Sequence, residues 1–173
     1  MPPALLFDLS QIDLNALVFG KEAILRVNPQ RYEMQQLDGI LWYDLERSLI
    51  LGYKDVTHDE FWIRGHIPGR PLMPGVIMIE AAAQLLSFFI KQFMGEKGFV
   101  GFGGIESAKF RATVSPGCRL YLLGHVFEMK SRRAKCAVQG VVNGILVFES
   151  VVAGVRVEKD SGQPGPREGF PGS

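Results

Sequence analysis

The chain is poor in cysteine and histidine, and its charges nearly cancel. Cys118 and Cys136 lie far apart in 173 residues, so we expect free thiols in a reducing compartment. The three histidines, His58, His66 and His125, have no metal-ligand spacing, which predicts no metal site. No cofactor is predicted, because GFGG at residues 101–104 lacks the helix of a phosphate-binding loop. A net charge of +1 gives no argument for a nucleic-acid partner.

The chain also lacks the marks of an exported or membrane protein. Its first residues, MPPALLFDLSQIDL, carry acids and have no basic n-region of the kind that begins a signal peptide. The most apolar window, residues 76–94, is interrupted by Glu80, Gln84 and Lys91, and charge in mid-window is costly in a bilayer. We therefore expect a cytoplasmic protein without a membrane partner, in which this window is a buried helix.

The chain does contain strand patterns on both sides of one long helix pattern. GILWYD and SLILGYKDV predict two paired strands with a turn at Glu46-Arg47. The segment from Gly75 to about Met94 is apolar nearly all round, which predicts a helix in the middle of the fold. The segments that follow it predict a three- or four-strand antiparallel meander: GFVGFGGIESAKFRATV, CRLYLLGHVFEMK, AKCAVQGVV and ILVFESVVAGVRV.

Turns and composition divide the chain further. Asn143-Gly144 predicts a two-residue type I′ turn, which needs positive φ at both positions. A helix is expected around Leu14 to Val27, although Gly20 interrupts it. We expect an N-terminal segment at 1–30 that flanks or packs on one α+β domain at 31–158. The Gly/Pro-rich end, 159–173, is predicted to be disordered.

The stretch GHIPGRPLMPGVIMIEAAAQ, residues 65–84, combines groups that an ordinary loop and core helix do not need. Histidine is the commonest general base near neutral pH, which makes His66 a candidate base. Glu80 lies on the second turn of an apolar helix, where desolvation favours a protonated carboxyl that can act as an acid. Pro74 suits the first turn of the helix, and the N–H groups of Gly75 and Val76 could hold a carbonyl oxygen.

A base, an acid and a carbonyl-polarising helix start suit the dehydration of a β-hydroxyacyl thioester. The base removes the α-proton, the helix start stabilises the enolate-like oxygen, and the acid protonates the leaving hydroxyl. Taken singly, each part has a simpler interpretation. His66 can be a structural hydrogen-bonder, Glu80 can be paired with an arginine, and the prolines can only stiffen a loop.

Two blocks of the sequence resemble the 3-hydroxyacyl-[acyl-carrier-protein] dehydratases of fatty acid synthesis. HIPGRPLMPGVIMIEAAAQ is similar to that family's signature, and GIESAKFRATVSPGCRL resembles its second block. The resemblance runs from about residue 28 to residue 157. It implies the hot-dog fold, in which a curved antiparallel sheet wraps around a central helix.

The resemblance also implies roles for five residues. His66 matches the catalytic histidine and Glu80 the catalytic acid. Gly75 matches the glycine whose N–H holds the thioester carbonyl, with Val76 beside it, and Gln84 matches a glutamine that orients the acid. A related dehydratase/isomerase branch carries aspartate in place of Glu80, which favours a simple dehydratase here.

Several positions depart from the family pattern. The early motif L-P-H-R-Y-P is NPQRYE at residues 28–33, and the following V-D is Leu37-Asp38. An aromatic residue that gates the acyl tunnel in some members aligns with Gly101, and the usual aspartate after P-G is Cys118. These departures leave the acyl chain length and the carrier open.

The resemblance further implies partners. The histidine and the acid of one site come from different subunits in this family, so we expect at least a homodimer, and a trimer of dimers is common. Acyl carrier proteins are acidic, so a basic rim is expected near the tunnel entrance, with Lys109, Arg111, Arg132 and Arg133 as candidates. Two other functions stay open at this point: a hot-dog acyl thioesterase and a non-catalytic acyl-binding subunit.

Overall fold

The computed structural model describes residues 4–157, which form six β-strands, two α-helices and a short 3₁₀ helix at Tyr32–Met34. The predicted disordered end, 159–173, lies outside the described residues, and the predicted boundaries of the domain stay predictions. The elements follow in this order: α1 Lys21–Val27, β1 Gly39–Asp44, β2 Leu49–Val56, α2 Gly75–Phe93, β3 Phe99–Phe110, β4 Cys118–Met129, β5 Arg133–Val142 and β6 Ile145–Val157.

The six strands form one antiparallel sheet in the order β1-β2-β4-β5-β6-β3. The predicted meander is present as β4, β5 and β6, and the turn between β5 and β6 has positive φ at Asn143 (49°) and Gly144 (76°), as type I′ requires. β3 does not join the meander beside β4. It crosses to the far edge and pairs with β6, from Phe99 opposite Val157 to Phe110 opposite Phe148.

Helix α2 packs across one face of the sheet and forms the centre of the core. Its largest side chains, among them Leu85, Phe88 and Phe89, are at most 1% exposed. The helix begins directly after Pro74, and Gly95 adopts a positive φ of 67° just beyond its end. By length and hydropathy α2 could cross a membrane, but it is the core helix of this domain.

The N-terminal segment covers the opposite face of the sheet. Alternation along β2 sends Ile50 to the α2 side and Leu49 and Leu51 to the other side. Phe7 closes that second cluster and packs on Trp42, with the ring centroids 5.3 Å apart. A satellite apolar cluster under a long loop therefore stabilises the outer face.

The expected helix around Leu14 to Val27 is shorter than predicted, because only Lys21–Val27 is helical. Gly20 occupies the position before the first helical residue, where it costs least. The residues before it form a different contact. The N–H groups of Val18 and Phe19 donate to Ile40 O at 2.9 and 3.1 Å, which ties this segment to the edge strand β1.

Candidate active site

His66 lies in the loop between β2 and α2, and this loop is anchored on both sides. Trp62 and Met73 are 4% and 3% exposed, and the Met73 N–H donates to Val114 O at 2.7 Å. The His66 side chain itself is exposed. A rigid loop thus presents one imidazole to the surface.

The hydrogen bond of His66 defines which ring nitrogen is free. Nδ1 lies 2.8 Å from Leu72 O, and a carbonyl oxygen can only accept, so Nδ1 carries the hydrogen. In the neutral ring the lone pair then lies on Nε2. This is the arrangement that a general base needs, because Nε2 is left to take a proton.

Glu80 is half-buried on the second turn of α2, and Gln84 holds its carboxyl group. Gln84 Nε2 donates to Glu80 Oε1 at 2.7 Å and to Met34 O at 2.6 Å. Gln84 Oε1 accepts from the N–H groups of Gln36 and Leu37 at 2.8 and 3.1 Å. Four hydrogen bonds to a fully buried amide fix the position of the acid.

Replacing Gln84 with alanine is expected to lower the free energy of unfolding by at least about 2 kcal/mol, since each buried group left unpaired costs roughly 1–3 kcal/mol. The unpaired groups are the N–H groups of Gln36 and Leu37 and the carbonyl of Met34. Urea unfolding measures the change. Gln92→Ala on the exposed side of the same helix is the control, with an expected change within about 0.5 kcal/mol. Equal stability of both variants would contradict the network.

The start of α2 leaves two backbone donors outside the helical ladder. The first bonds run from the N–H groups of Ile77 and Met78 to Pro74 O, at 3.0 and 3.3 Å, so the N–H groups of Gly75 and Val76 precede them. A Cβ at Gly75 would lie 2.6 Å from the Phe110 ring. A side chain at position 75 would therefore have to displace the Phe110 ring, which covers the helix start.

A small cavity of about 40 Å³ lies beside Glu80. It is bounded by α2, β3, β6 and the segment after α1, and a Cβ at Gly154 of β6 would lie 3.2 Å from the Val100 side chain of the neighbouring strand β3. Gly101, on the edge strand β3, is one of the residues that line it. The residues that line the cavity are Gln30, Glu80, Ala83, Leu86, Ser87, Val100, Gly101, Phe102, Ala153 and Gly154.

The structure brings some of the predicted site residues together and separates others. Glu80 and Gln84 are in contact. Gly75 begins the same helix, and Val76 beside it is 73% exposed. His66 is not among the residues that line the cavity beside Glu80.

The four predicted carrier-binding cations fall into two groups. Lys109 and Arg111 lie at the end of β3 beside Phe110, and Arg111 pairs with Glu149. Arg132 and Arg133 lie at the hairpin between β4 and β5, where Arg133 pairs with Glu128 at 2.9 Å. Lys109 faces residue 149 of β6 and Arg133 faces residue 155, so the groups are about 20 Å apart along that strand. One protomer does not form a single basic rim from them.

Three side chains at the site were not singled out from the sequence: Gln30, Ser87 and Phe110. Ser87 had a usable signal, because it follows Glu80 by seven residues and therefore lies on the same helix face as Glu80 and Gln84. Gln30 and Phe110 had none, because they reach the site from other parts of the chain.

Solved structures share this architecture of one helix packed on a six-stranded antiparallel sheet. The dehydratase heterocomplex ApeI:P from Xenorhabdus doucetiae has a TM-score of 0.66 at 13% identity, over 79% of this chain and 91% of that one. The phenylacetic acid degradation protein PaaI from Thermus thermophilus has a TM-score of 0.53 at 15% identity, over 70% of this chain and 94% of that one. These likenesses confirm the predicted hot-dog fold.

Sequence relatives identify the protein family within this fold. The 3-hydroxyacyl-[acyl-carrier-protein] dehydratase FabZ of Chlamydia trachomatis is 36% identical over 147 residues, which cover 83% of this chain and 96% of that protein. The FabZ of Erythrobacter litoralis is 37% identical over 139 residues, which cover 76% of this chain and 91% of that protein. A family model described as a FabA-like domain matches residues 28–151. The chain belongs to this FabA-like dehydratase family, as its two sequence blocks predict.

Proposed function

We propose that the protein catalyses the reversible dehydration of a 3-hydroxyacyl thioester to the trans-2-enoyl thioester, on acyl carrier protein in fatty acid synthesis. The observation that carries the proposal is the carboxyl of Glu80, which Gln84 holds beside a small cavity at the core helix. The names of the curated relatives support it, since they are 3-hydroxyacyl-carrier-protein dehydratases.

The proposed reaction assigns one task to each group. His66 Nε2 takes the α-proton of the thioester. The N–H of Gly75 or Val76 stabilises the enolate-like oxygen that forms. Glu80 gives its proton to the β-hydroxyl, which leaves as water. The general base and the general acid each contribute about 10²–10⁴-fold.

The same geometry supports a homodimer, because His66 does not line the cavity beside Glu80 within one protomer. β3 is a twelve-residue edge strand, and no strand within residues 4–157 pairs with its outer side. An edge of this length favours pairing with a second copy. Phe99, Phe102 and Ile105 along it are about half-exposed. The shorter edge strand at the other side of the sheet is tied to Phe19.

Two-fold pairing of β3 also supports a common basic rim. In an antiparallel pair the Phe99 end of one strand meets the Phe110 end of the other. Arg133 of one protomer then lies about three strand spacings, roughly 15 Å, from Lys109 of the other. We propose that Arg132 and Arg133 of one protomer join Lys109 and Arg111 of its partner in binding the acidic carrier.

The thiols support a reducing compartment, and we propose the cytoplasm. Cys118 and Cys136 are both free, and they face Val56 and Val126 in the sheet, so they do not meet. Burial raises the pKa of the Cys136 thiol to about 12. A thiol with so little thiolate is unreactive, and its position is explained by packing alone.

Hydration of crotonyl thioester tests the proposal. The expected result is loss of enoyl-thioester absorbance on both carrier-protein and coenzyme A thioesters, without release of free thiol. Release of free thiol would instead identify a thioesterase. Binding of the thioester without turnover would identify a non-catalytic acyl-binding subunit.

A further inference from the structure

Lys54 on β2 is buried, which is rare for a lysine unless its charge is paired. The residue is 6% exposed. Its Nζ lies 2.7 Å from Glu60 Oε1 and 3.6 Å from Asp38 Oδ2, and it donates to Asp55 O at 3.1 Å. The side chains of Glu60 and Asp38 are themselves only 8% and 17% exposed. One buried ammonium thus joins two covered carboxylates from different segments of the chain.

The first carboxylate belongs to the segment that positions the candidate acid. Asp38 directly follows Gln36 and Leu37, whose N–H groups donate to Gln84 Oε1 at 2.8 and 3.1 Å. Gln84 Nε2 in turn donates to Glu80 Oε1 at 2.7 Å. A shift of Asp38 would therefore move the two donors that fix the amide, and with them the carboxyl of the acid.

The second carboxylate belongs to the segment that leads to the candidate base. Glu60 Oε1 accepts from the N–H of Thr57 at 3.3 Å, and Glu60 O accepts from the N–H of Ile63 at 3.1 Å. The carbonyl of the buried Trp62 then accepts from the N–H of His66 at 2.7 Å. The buried ion pair therefore holds the turns from which the loop of His66 begins.

We infer that Lys54 is a positioning residue, whose ammonium holds the segment of Glu80 and the loop of His66 in one fixed arrangement. This inference rests on the proposed dehydratase function. Hydrogen bonds between charged groups are shorter and stronger than neutral ones. Apolar residues of the same size could stabilise the fold equally well, but they would not define the distance between the two segments. In the proposed homodimer these segments serve different sites, so each Lys54 acts on both sites.

Lys54→Met tests the inference in the hydration of crotonyl thioester. The methionine keeps the length of the apolar stem and removes the ammonium. We expect kcat to fall by about 10–100-fold, because small displacements of catalytic groups cost up to about 10²-fold. KM should change little, since the cavity and the start of α2 keep their side chains.

A double-mutant cycle separates positioning from a general loss of structure. Lys54→Met is also made in Glu80→Gln and in His66→Ala. Because part of the loss acts through each of these groups, the fold-loss from Lys54→Met should be smaller in each background than in the wild type. A purely structural defect would lower all three activities by the same factor. If Lys54→Met does not fold, Lys54→Met combined with Glu60→Gln, which removes one uncompensated buried carboxylate, takes its place.

Arg119→Met is the matched control. Arg119 on β4 pairs with Asp55, the residue next to Lys54, through two contacts of 2.7 and 2.9 Å. This variant also deletes the cation of an ion pair on β2, and it should leave kcat and KM unchanged. A wild-type kcat in Lys54→Met, an equal fold-loss in all three backgrounds, or an equal loss in Arg119→Met overturns the inference.

Hydrogen exchange separates this inference from the proposed function. The amides of Leu37 and His66 should exchange faster in Lys54→Met than in the wild type, whereas amides in the middle of β5 should not. Turnover in the wild type, with neither exchange nor kcat altered by Lys54→Met, leaves the dehydratase function in place and removes the inference. Faster exchange at both amides without any wild-type turnover supports positioning by Lys54 and removes the dehydratase function. Unaltered exchange without turnover overturns both.

Discussion

Glu80→Gln is expected to lower the rate of crotonyl thioester hydration by about 10²–10⁴-fold, the usual contribution of one general acid or base. The amide keeps the shape of the carboxyl, and its oxygen can still accept from Gln84 Nε2, which now lies 2.7 Å from Glu80 Oε1. In the hydration direction Glu80 takes a proton from the water that adds to the β-carbon, and an amide cannot take that proton. The hydration rate and the melting temperature are measured on the same preparation, and the melting temperature should change little.

His66→Ala should cause a loss of similar size, and mixing the two variants tests whether one site takes groups from two chains. Unfolding and refolding an equal mixture makes half of the dimers mixed, and each mixed dimer holds one site with both native groups. About a quarter of the wild-type activity should return. No recovery after mixing would show that His66 and Glu80 act within one protomer.

Ile105→Lys is expected to convert the proposed dimer to monomers and to lower activity by at least about 10²-fold, since each proposed site needs two chains. Ile105 lies in the middle of the edge strand β3 and is 49% exposed. A lysine there places charge on the pairing edge, a device by which natural edge strands prevent association. Sedimentation velocity measures the oligomeric state, and the hydration assay measures the activity.

Leu45→Lys is the matched control for this substitution. Leu45 is 45% exposed, but it lies in the turn between β1 and β2, away from β3. This variant should remain a dimer with normal activity. An active monomer of Ile105→Lys would contradict the shared site, and an intact dimer would exclude β3 as the pairing edge.

The helix and the strands were predictable because their signals are local. The apolar run after Pro74 defines α2, and the Asn143-Gly144 turn defines the last hairpin, where only residues near in sequence interact. The length of the N-terminal helix was not predictable in the same way. Bonds from Val18 and Phe19 to the distant Ile40 hold the segment out of the helix.

The amino-acid sequence alone also indicates a candidate acid–base pair, His66 and Glu80, and these roles stay a prediction. A histidine and a glutamate around a proline-rich helix start limit the chemistry, because few other side chains transfer protons near neutral pH. The resemblance of two separated blocks to one family then favours these roles over the structural alternatives.

The features that depend on contacts between distant parts of the chain became visible only in the tertiary structure. The pairing of β3 with β6 makes β3 the open edge, and nothing in its own residues indicates that choice. Gln84 bonds to the segment around Gln36, and Gln30 and Ser87 line the same cavity. Sequence periodicity predicts which face of a helix or strand a side chain lies on. Which distant residues it contacts depends on how the core packs, because those residues come together only in the folded chain.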